Sequence, residues 1–116
     1  MIYLASPYSD EDPEIMEFRF QAVCEAASKL MLKGINVFSP IAHTHPIAQY
    51  GLPKGFDFWE RYDEWFLQHC NEMLILLIDG WGSSKGIHEE RKIMNQLGKP
   101  VRFVTVDGEI KSGSVA

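Results

Sequence analysis

Short apolar-rich runs alternate along the chain with longer stretches in which apolar residues recur at helical spacing. Runs of this length, bounded by Gly, Pro, Ser or Asn, are typical of strands. They lie at residues 2–5, 35–38, 73–78 and 100–106. The third contains six consecutive apolar residues, which is typical of a strand buried on both faces of a parallel sheet. The stretches between the runs predict three helices, at residues 13–33, 57–71 and 87–97.

This alternation of strands and helices predicts a single α/β domain with a parallel sheet and right-handed crossovers. We expect a three-layer, flavodoxin- or Rossmann-like fold. If the first strand is central, the strand order is 2-1-3-4, with a possible extra strand at one edge. The domain is expected to span residues 1–106, and residues 107–116 are expected to form a polar tail.

One connection is long for a compact domain. Residues 41–55 contain His43, His45, two prolines and two glycines, and they are predicted to form a loop. Long loops without secondary structure are usually functional or mobile. This one follows the second strand, so we expect it to hang over the carboxyl ends of the strands and to close over a ligand.

Composition narrows the function classes. The chain has 116 residues, a net charge of -5 and no basic run, which argues against a nucleic-acid polymer as partner. Cys24 and Cys70 fall in predicted helices and fit reduced core cysteines of a cytoplasmic protein. The chain enters its first strand at Ile2, so no signal peptide is expected, and no apolar run approaches the roughly 20 residues of a membrane span.

The turn after the third strand carries the strongest candidate chemistry. Residues 79–90 read Asp-Gly-Trp-Gly-Ser-Ser-Lys-Gly-Ile-His-Glu-Glu, and ligands of parallel sheets bind at such turns. Free backbone N–H groups and the hydroxyls of Ser83 and Ser84, at a helix N-terminus, favour an anion. Glu90 lies four residues after Gly86 and should share its helix face. A carboxylate is therefore expected to point at the anion pocket.

Several further residues have two interpretations each. Asp63 lies on the apolar edge of its predicted helix, where a carboxylate either bonds to nearby backbone or acquires a raised pKa. Tyr8, after Ser6 and Pro7, either packs or lines the mouth of the pocket. Trp81 either packs against a neighbouring element or forms a wall for a flat aromatic ligand.

The His43-x-His45 pair could bind zinc or copper, but no third ligand with suitable spacing accompanies it. We therefore expect no metal and no organic cofactor. The two histidines are expected to form hydrogen bonds within the loop or to contact a ligand.

Together these stretches resemble the nucleoside 2-deoxyribosyltransferase superfamily, which includes the 2′-deoxynucleoside 5′-phosphate N-hydrolases. The resemblance covers roughly residues 1–104. It rests on Ile-Tyr-Leu-Ala-Ser-Pro-Tyr at 2–8, Asp63 before Asn-Glu-Met-Leu at 71–74, Asp-Gly-Trp at 79–81, Ser84-x-Gly86-x-x-x-Glu90 and Gly-Lys-Pro-Val at 98–101. The stretch at 39–47, Ser-Pro-Ile-Ala-His-Thr-His-Pro-Ile, resembles a branch of the superfamily with no assigned function.

The resemblance implies an enzyme that acts on glycosidic bonds. It implies that Glu90 is the nucleophile on the anomeric carbon, that Asp63 orients the substrate or handles a proton, and that Tyr8 positions the nucleophile. The Ser84-x-Gly86 turn would hold the 5′ end of the substrate. The nucleoside-specific transferases carry an aspartate at the position of Ser84, whereas the nucleotide-specific hydrolases carry a serine. Members of the superfamily are usually dimers or larger.

We therefore expect cleavage or exchange of the N-glycosidic bond of a nucleoside 5′-monophosphate. The alternatives are a non-catalytic nucleotide-binding or sensing module, and a 2-deoxyribosyltransferase that acts on unphosphorylated nucleosides. The expected partners are a small nucleoside or nucleotide and further copies of the chain, with no nucleic-acid polymer and no membrane. The residues expected to bind the substrate are Ser6, Pro7, His43, His45, Asp79, Trp81, Ser83, Ser84 and Gly86.

Overall fold

The computed structural model describes residues 1–53 and 56–112, with the side chains of all of these except residues 56 and 57. The strands and helices that the sequence predicts are all present, with one further helix and one further strand. The strands are β1 (Ile2–Ala5), β2 (Val37–Phe38), β3 (Glu72–Leu76), β4 (Val101–Val104) and β5 (Ile110–Lys111). The helices are α1 (Pro13–Leu32), α2 (Pro40–Ala48), α3 (Phe56–His69) and α4 (Lys85–Gln96), with a short 3₁₀ turn at Trp81–Ser83.

The five strands form one sheet in the order β2-β1-β3-β4-β5. The first four are parallel, with Tyr3 opposite Met73, and β5 pairs antiparallel with β4. The predicted α/β fold and the 2-1-3-4 order are thus confirmed, with the extra edge strand present. This strand lies within the stretch predicted as a polar tail, whose residues 113–116 fall outside the described part of the chain.

The apolar side chains pack in two layers, one on each face of the sheet. On one face, Leu4 and Leu74 pack with Val23 and Leu30 of α1. On the other face, the side chains of β1 and β3 pack with those of α3 and α4. The buried members of this layer are Tyr3, Ala5, Leu67, Cys70, Met73, Ile75, Ile87, Met94 and Phe103. Alternating strand residues therefore face opposite layers, and the sheet is covered on both sides. No helix among the described residues is long and apolar enough to cross a membrane.

The prediction of a loop over residues 41–55 was wrong for its first half, because Pro40–Ala48 forms helix α2. Ser39 caps this helix, and its Oγ accepts a hydrogen bond from the backbone N–H of Ala42 at 3.1 Å. Pro40 occupies the first turn, where a backbone N–H is not needed. The hydroxyl of Thr44 donates to the Pro40 carbonyl at 2.7 Å. Closure of this segment over a ligand stays a prediction. Residues 54–55, at the loop's predicted end, lie outside the described residues.

The turns after β1 and β3 lie side by side, joined by Arg19 of α1. The Arg19 Nη1 donates to the carbonyls of Tyr8 and Ser9, at 3.4 and 3.1 Å. Its Nη2 lies 2.6 Å from the position that a Cβ would occupy on Gly80. Gly80 also has a φ of 94°, which side chains disfavour. The backbone conformation thus favours a glycine here, and the guanidinium, at the end of a flexible side chain, packs closely against it.

Candidate active site

Glu90 of α4 and Tyr3 of β1 meet on one face of the sheet, on the side covered by α3 and α4. The register of α4 places Glu90 three residues after Ile87 and four before Met94, both buried against the sheet, so Glu90 shares their inward face. The hydroxyl of Tyr3, which is fully buried, donates a hydrogen bond to Glu90 Oε2. A strand tyrosine therefore holds the carboxylate that the sequence singled out.

Asp63 of α3 brings a second carboxyl group close to this pair. Its Oδ1 is buried and has no hydrogen-bond partner among the described residues. Burial raises the pKa of Asp63 to about 7. The charge of Asp63 also raises the pKa values of Glu90 and of Tyr3. Of the two interpretations that the sequence left open, the structure therefore favours the titrating carboxyl.

The pKa of Glu90 is raised to about 8. Burial is the largest cause, the hydrogen bond from Tyr3 opposes it by favouring the carboxylate, and the nearby charge of Asp63 adds to the increase. Two neighbouring carboxyls that titrate near neutrality share protons, so their titration belongs to the pair. Such a pair can supply an ionised group and a protonated group to the same reaction.

The turn from β3 to α4 follows the predicted pattern of strand, Gly/Ser-rich turn and helix. Ser84 caps α4, and its Oγ accepts from the backbone N–H of Ile87 at 3.2 Å, which leaves the hydroxyl proton available as a donor. Ser83 is exposed, and its hydroxyl approaches the Gly80 carbonyl at 3.4 Å. An open depression lies over residues 77–83, and Asp79 and Trp81 are part of its lining.

Trp81 packs edge-on against Phe103 of β4, with ring centroids 5.4 Å apart. It also belongs to the partly buried side chains of the core layer on the α3 and α4 side. These contacts favour the packing interpretation of Trp81. Its role as a wall for a flat ligand stays a prediction.

The two histidines of the His-x-His pair diverge, because residues two apart on a helix point in different directions. His43 is exposed near Phe38, with ring centroids 6.0 Å apart. His45 is buried, and its ring lies against Tyr8 and Phe20. The part of the chain that the structure describes contains no group of three or more His, Cys, Asp or Glu arranged to hold a metal ion.

The expected site residues thus fall into two neighbouring groups. Glu90 and Asp63 lie on the α3 and α4 side of the sheet, whereas Tyr8 and His45 form a hydrogen-bonded pair at 2.6 Å on the α1 and α2 side. The tyrosine hydroxyl that contacts Glu90 therefore belongs to Tyr3, where the resemblance implied Tyr8. Sequence reasoning missed Tyr3, although a buried tyrosine needs a partner for its hydroxyl.

At the end of β1, Ser6 and Pro7 are both buried. The Oγ of Ser6 has no hydrogen-bond partner among the described residues. Gly86 has open space around the position of a Cβ apart from Ser84 Oγ at 3.8 Å. The roles of these residues in substrate binding stay predictions.

Residues 1–106 match a family described as a domain of unknown function, DUF1937. The chain belongs to this family. No curated protein matches the chain. Among solved structures, the fold is similar to that of a 2-deoxyribosyltransferase from the psychrotolerant bacterium Bacillus psychrosaccharolyticus, with a TM-score of 0.64 and 27% sequence identity. The similarity covers 96% of this chain and 76% of the transferase.

Proposed function

We propose that this DUF1937 chain cleaves or exchanges the N-glycosidic bond of a nucleoside 5′-monophosphate, with Glu90 as the nucleophile. The observation that carries the proposal is the pair of carboxyl groups, Glu90 and Asp63, with Tyr3 bonded to the first. Two neighbouring carboxyl groups are the usual apparatus for breaking a glycosidic bond. The similarity to a 2-deoxyribosyltransferase supports this reaction class.

In the first step, an ionised Glu90 oxygen attacks the anomeric carbon of the sugar. A C–O bond to Glu90 forms, the C–N bond breaks, and its electron pair leaves with the base. In the second step, water or another base attacks the same carbon and releases Glu90. Because both steps invert the anomeric carbon, the product retains the original configuration. The hydrogen bond from Tyr3 aligns the attacking carboxylate and keeps it ionisable despite its burial.

The departing base needs a proton, because an anionic base leaves slowly. Asp63 supplies it in the arrangement of the pair in which the proton is on Asp63 and Glu90 is ionised. The pKa values of about 7 for Asp63 and about 8 for Glu90 are close enough for this arrangement to be populated at neutral pH, although it is the minor one. When water attacks in the second step, the same carboxylate can accept the proton that the water releases. The base thus departs neutral in the first step, and Asp63 regains its proton in the second.

A 5′-phosphate on the substrate is supported by the donors around the turn from β3 to α4. The N-terminus of a 12-residue helix begins here, and Ser84 keeps a free hydroxyl proton for an anion. The guanidinium of Arg19 lies against Gly80, and no carboxylate among the described residues forms an ion pair with it. A dianionic phosphate would be attracted by both, whereas a neutral 5′-hydroxyl gains little from them.

The test is incubation with a panel of nucleoside 5′-monophosphates, followed by chromatography for free base. The wild type should release base, and Glu90→Gln should lose at least about a hundredfold of the rate while still binding the substrate. Glu89→Gln, which alters the neighbouring carboxylate on the same helix, should change little. If Glu90→Gln keeps more than about a tenth of the activity, Glu90 is not the nucleophile. If nucleotides bind but no base is released, the chain is a binding module.

The second candidate is a 2-deoxyribosyltransferase that acts on unphosphorylated nucleosides, and the observation in its favour is the similarity to a transferase. Calorimetry with matched nucleoside and nucleotide pairs separates the two. The wild type should prefer the nucleotide, and Ser84→Asp should lose most of this preference because a carboxylate repels phosphate. Equal binding of both ligands by the wild type would favour the transferase. Release of base only when a second free base is present would favour it further.

A further inference from the structure

A second cluster of polar side chains joins the turn after β1 to helices α1 and α2. The Tyr8 hydroxyl lies 2.6 Å from His45 Nδ1, and His45 Nε2 lies 3.1 Å from Glu17 Oε1. The ring of Phe20 stacks on His45 with centroids 4.3 Å apart, and His45 is only 9% exposed. The three polar residues therefore form a continuous line of hydrogen bonds, with the buried His45 in the middle.

The proton positions along this line follow from what each group can donate. The hydrogen bonds from Gln21 and His45 lower the pKa of Glu17, so its carboxylate only accepts. With the proton on Nε2, the His45 ring donates to Glu17 and its Nδ1 accepts from the Tyr8 hydroxyl. In this arrangement, each hydrogen-bond donor along the line faces an acceptor.

The network is better suited to holding Tyr8 in place than to activating its hydroxyl. Burial and the charge of Glu17 raise the pKa of Tyr8, so the hydroxyl keeps its proton and does not become a phenolate. Because the hydroxyl is bound to His45, the part of Tyr8 that can meet a ligand is its partly exposed ring.

The position of Tyr8 relative to the candidate active site is fixed by Arg19. The guanidinium contacts the Tyr8 carbonyl on one side and lies against Gly80 on the other. Gly80 opens the turn that leads to Ser84 and then, along α4, to Glu90. Arg19 therefore holds the turn that contains Tyr8 beside the turn that contains Gly80, whose residues line the depression over residues 77–83.

We propose that His45 and Glu17 are positioning residues, which hold Tyr8 by its hydroxyl so that its ring forms a wall for the base of the ligand. The proposal rests on the proposed function, because it assumes a nucleoside-like ligand. Aromatic side chains bind bases by stacking on their flat faces. A tyrosine that is already fixed loses less conformational freedom on binding than one that rotates freely.

Matched variants separate the two halves of the network. Asparagine at position 45 reaches about as far as Nδ1 and keeps an acceptor for Tyr8, whereas glutamine reaches about as far as Nε2 and keeps the contact with Glu17. Tyr8→Phe removes the hydroxyl and retains the ring. Glu25→Gln, an exposed carboxylate on the same helix as Glu17, is the control. Circular dichroism and thermal melts report whether each variant folds. If His45→Gln does not fold, the binding data for Tyr8→Phe test the proposal.

The readout is calorimetric affinity for two ligands, one that carries a base and one that lacks it. One is whichever 2′-deoxynucleoside 5′-monophosphate the wild type binds most tightly, and the other is 2-deoxyribose 5-phosphate. Tyr8→Phe and His45→Gln should each weaken nucleotide binding about fivefold, the usual worth of one hydrogen bond, and leave sugar-phosphate binding unchanged. His45→Asn should lose less, and the double variant Tyr8→Phe/His45→Gln should be no weaker than either single variant.

The possible failures are distinguishable. If Tyr8→Phe and His45→Gln bind the nucleotide as tightly as the wild type does, the positioning role is wrong. If the variants bind both ligands more weakly by the same factor, the network only supports the fold, and the positioning role is wrong in this case too. If the wild type binds none of the nucleotides, the proposed function fails, and the base-binding wall fails with it.

Discussion

At the scale of single residues, Tyr3 and Asp63 act on Glu90 in opposite directions. The hydroxyl of Tyr3 stabilises the carboxylate, whereas burial and the charge of Asp63 stabilise the protonated acid. Burial is the largest of these effects, so Glu90 titrates at about 8 and not at its ordinary 4.5. A carboxyl group with a raised pKa is a more basic nucleophile once it is ionised. The hydrogen bond from Tyr3 limits how far the pKa of Glu90 rises.

Tyr3→Phe should therefore raise the pKa of Glu90 further. A hydrogen bond to a charged group is worth roughly 1.5–3 kcal/mol, which corresponds to an increase of about one to two pH units. Titration of the Glu90 carboxyl carbon by NMR measures this directly, and the acid limb of the pH–rate profile should move upward by the same amount. Tyr50→Phe, at an exposed tyrosine, should leave the titration where it is. A Glu90 pKa that falls or stays constant in Tyr3→Phe would contradict the assigned hydrogen bond.

Glu90 also links stability to pH. Its folded-state pKa lies above its ordinary value, so the folded protein binds this proton more tightly than the unfolded chain does. Stability should then fall as pH rises from about 4.5 to about 8. Glu90→Gln removes this penalty, so its free energy of unfolding should exceed that of the wild type at pH 8, and the difference should shrink at pH 5. Urea denaturation at pH 5 and at pH 8 measures the difference in free energy of unfolding between the variant and the wild type. If this difference is the same at both pH values, Glu90 does not titrate between them.

The two acidic residues of the site could be predicted from the sequence, whereas Tyr3, which bonds to Glu90, could not. Glu90 follows from helix register after a Gly/Ser-rich turn, and Asp63 follows from a carboxylate placed among apolar residues. Tyr3 looks like an ordinary strand residue, because nothing in its neighbours along the chain reports which side chain will lie opposite it across the sheet. The pairing of Tyr8 with His45 depends in the same way on how α2 packs against α1.

At the scale of elements, the turn between β3 and α4 depends on close packing by a distant helix. Gly80→Ala places a Cβ 2.6 Å from the Arg19 guanidinium, at a backbone φ of 94°. We expect a loss of about 1–3 kcal/mol in the free energy of unfolding. Gly82→Ala is the matched control, since a Cβ there meets no atom within 4 Å and its φ is not positive. Equal denaturation midpoints for the two variants would show that neither the positive φ of Gly80 nor the close approach of Arg19 disfavours a side chain at this turn.

Helix α2 could not be predicted from the periodicity of its apolar residues alone. Its sequence is short, contains Pro46 and has a weakly amphipathic pattern, so the prolines and the His-x-His pair favoured a loop. The available signal was local: Ser39 followed by Pro40 is a capping residue followed by a favoured first helical residue. The strand order, by contrast, was predicted from the alternation of strands and helices, on the condition that the first strand is central.

At the scale of the whole molecule, α3 exposes a group of aromatic side chains on its outer surface. Phe58, Tyr62 and Trp65 are all exposed, and Trp65 is 57% exposed and stacked on His69. Apolar groups clustered on a surface often mark an interface. We propose that this surface, formed by Phe58, Tyr62, Trp65 and His69, joins copies of the chain.

Trp65→Ser should then shift the protein toward the monomer. Light scattering at micromolar concentration should give a mass of two or more chains for the wild type and a lower average mass for the variant. Tyr50→Ser, at a tyrosine 93% exposed outside this surface, should leave the mass unchanged. A wild type that is monomeric throughout this range would refute the proposal.

The two outermost strands of the sheet, β2 and β5, each have only two residues. An edge strand invites further strands in proportion to the length of unpaired backbone that it presents, and here that length is close to the minimum. The central strands, whose apolar runs would aggregate readily if exposed, are thereby shielded on both flanks. The fold therefore carries protection against fibril-like stacking of its strands.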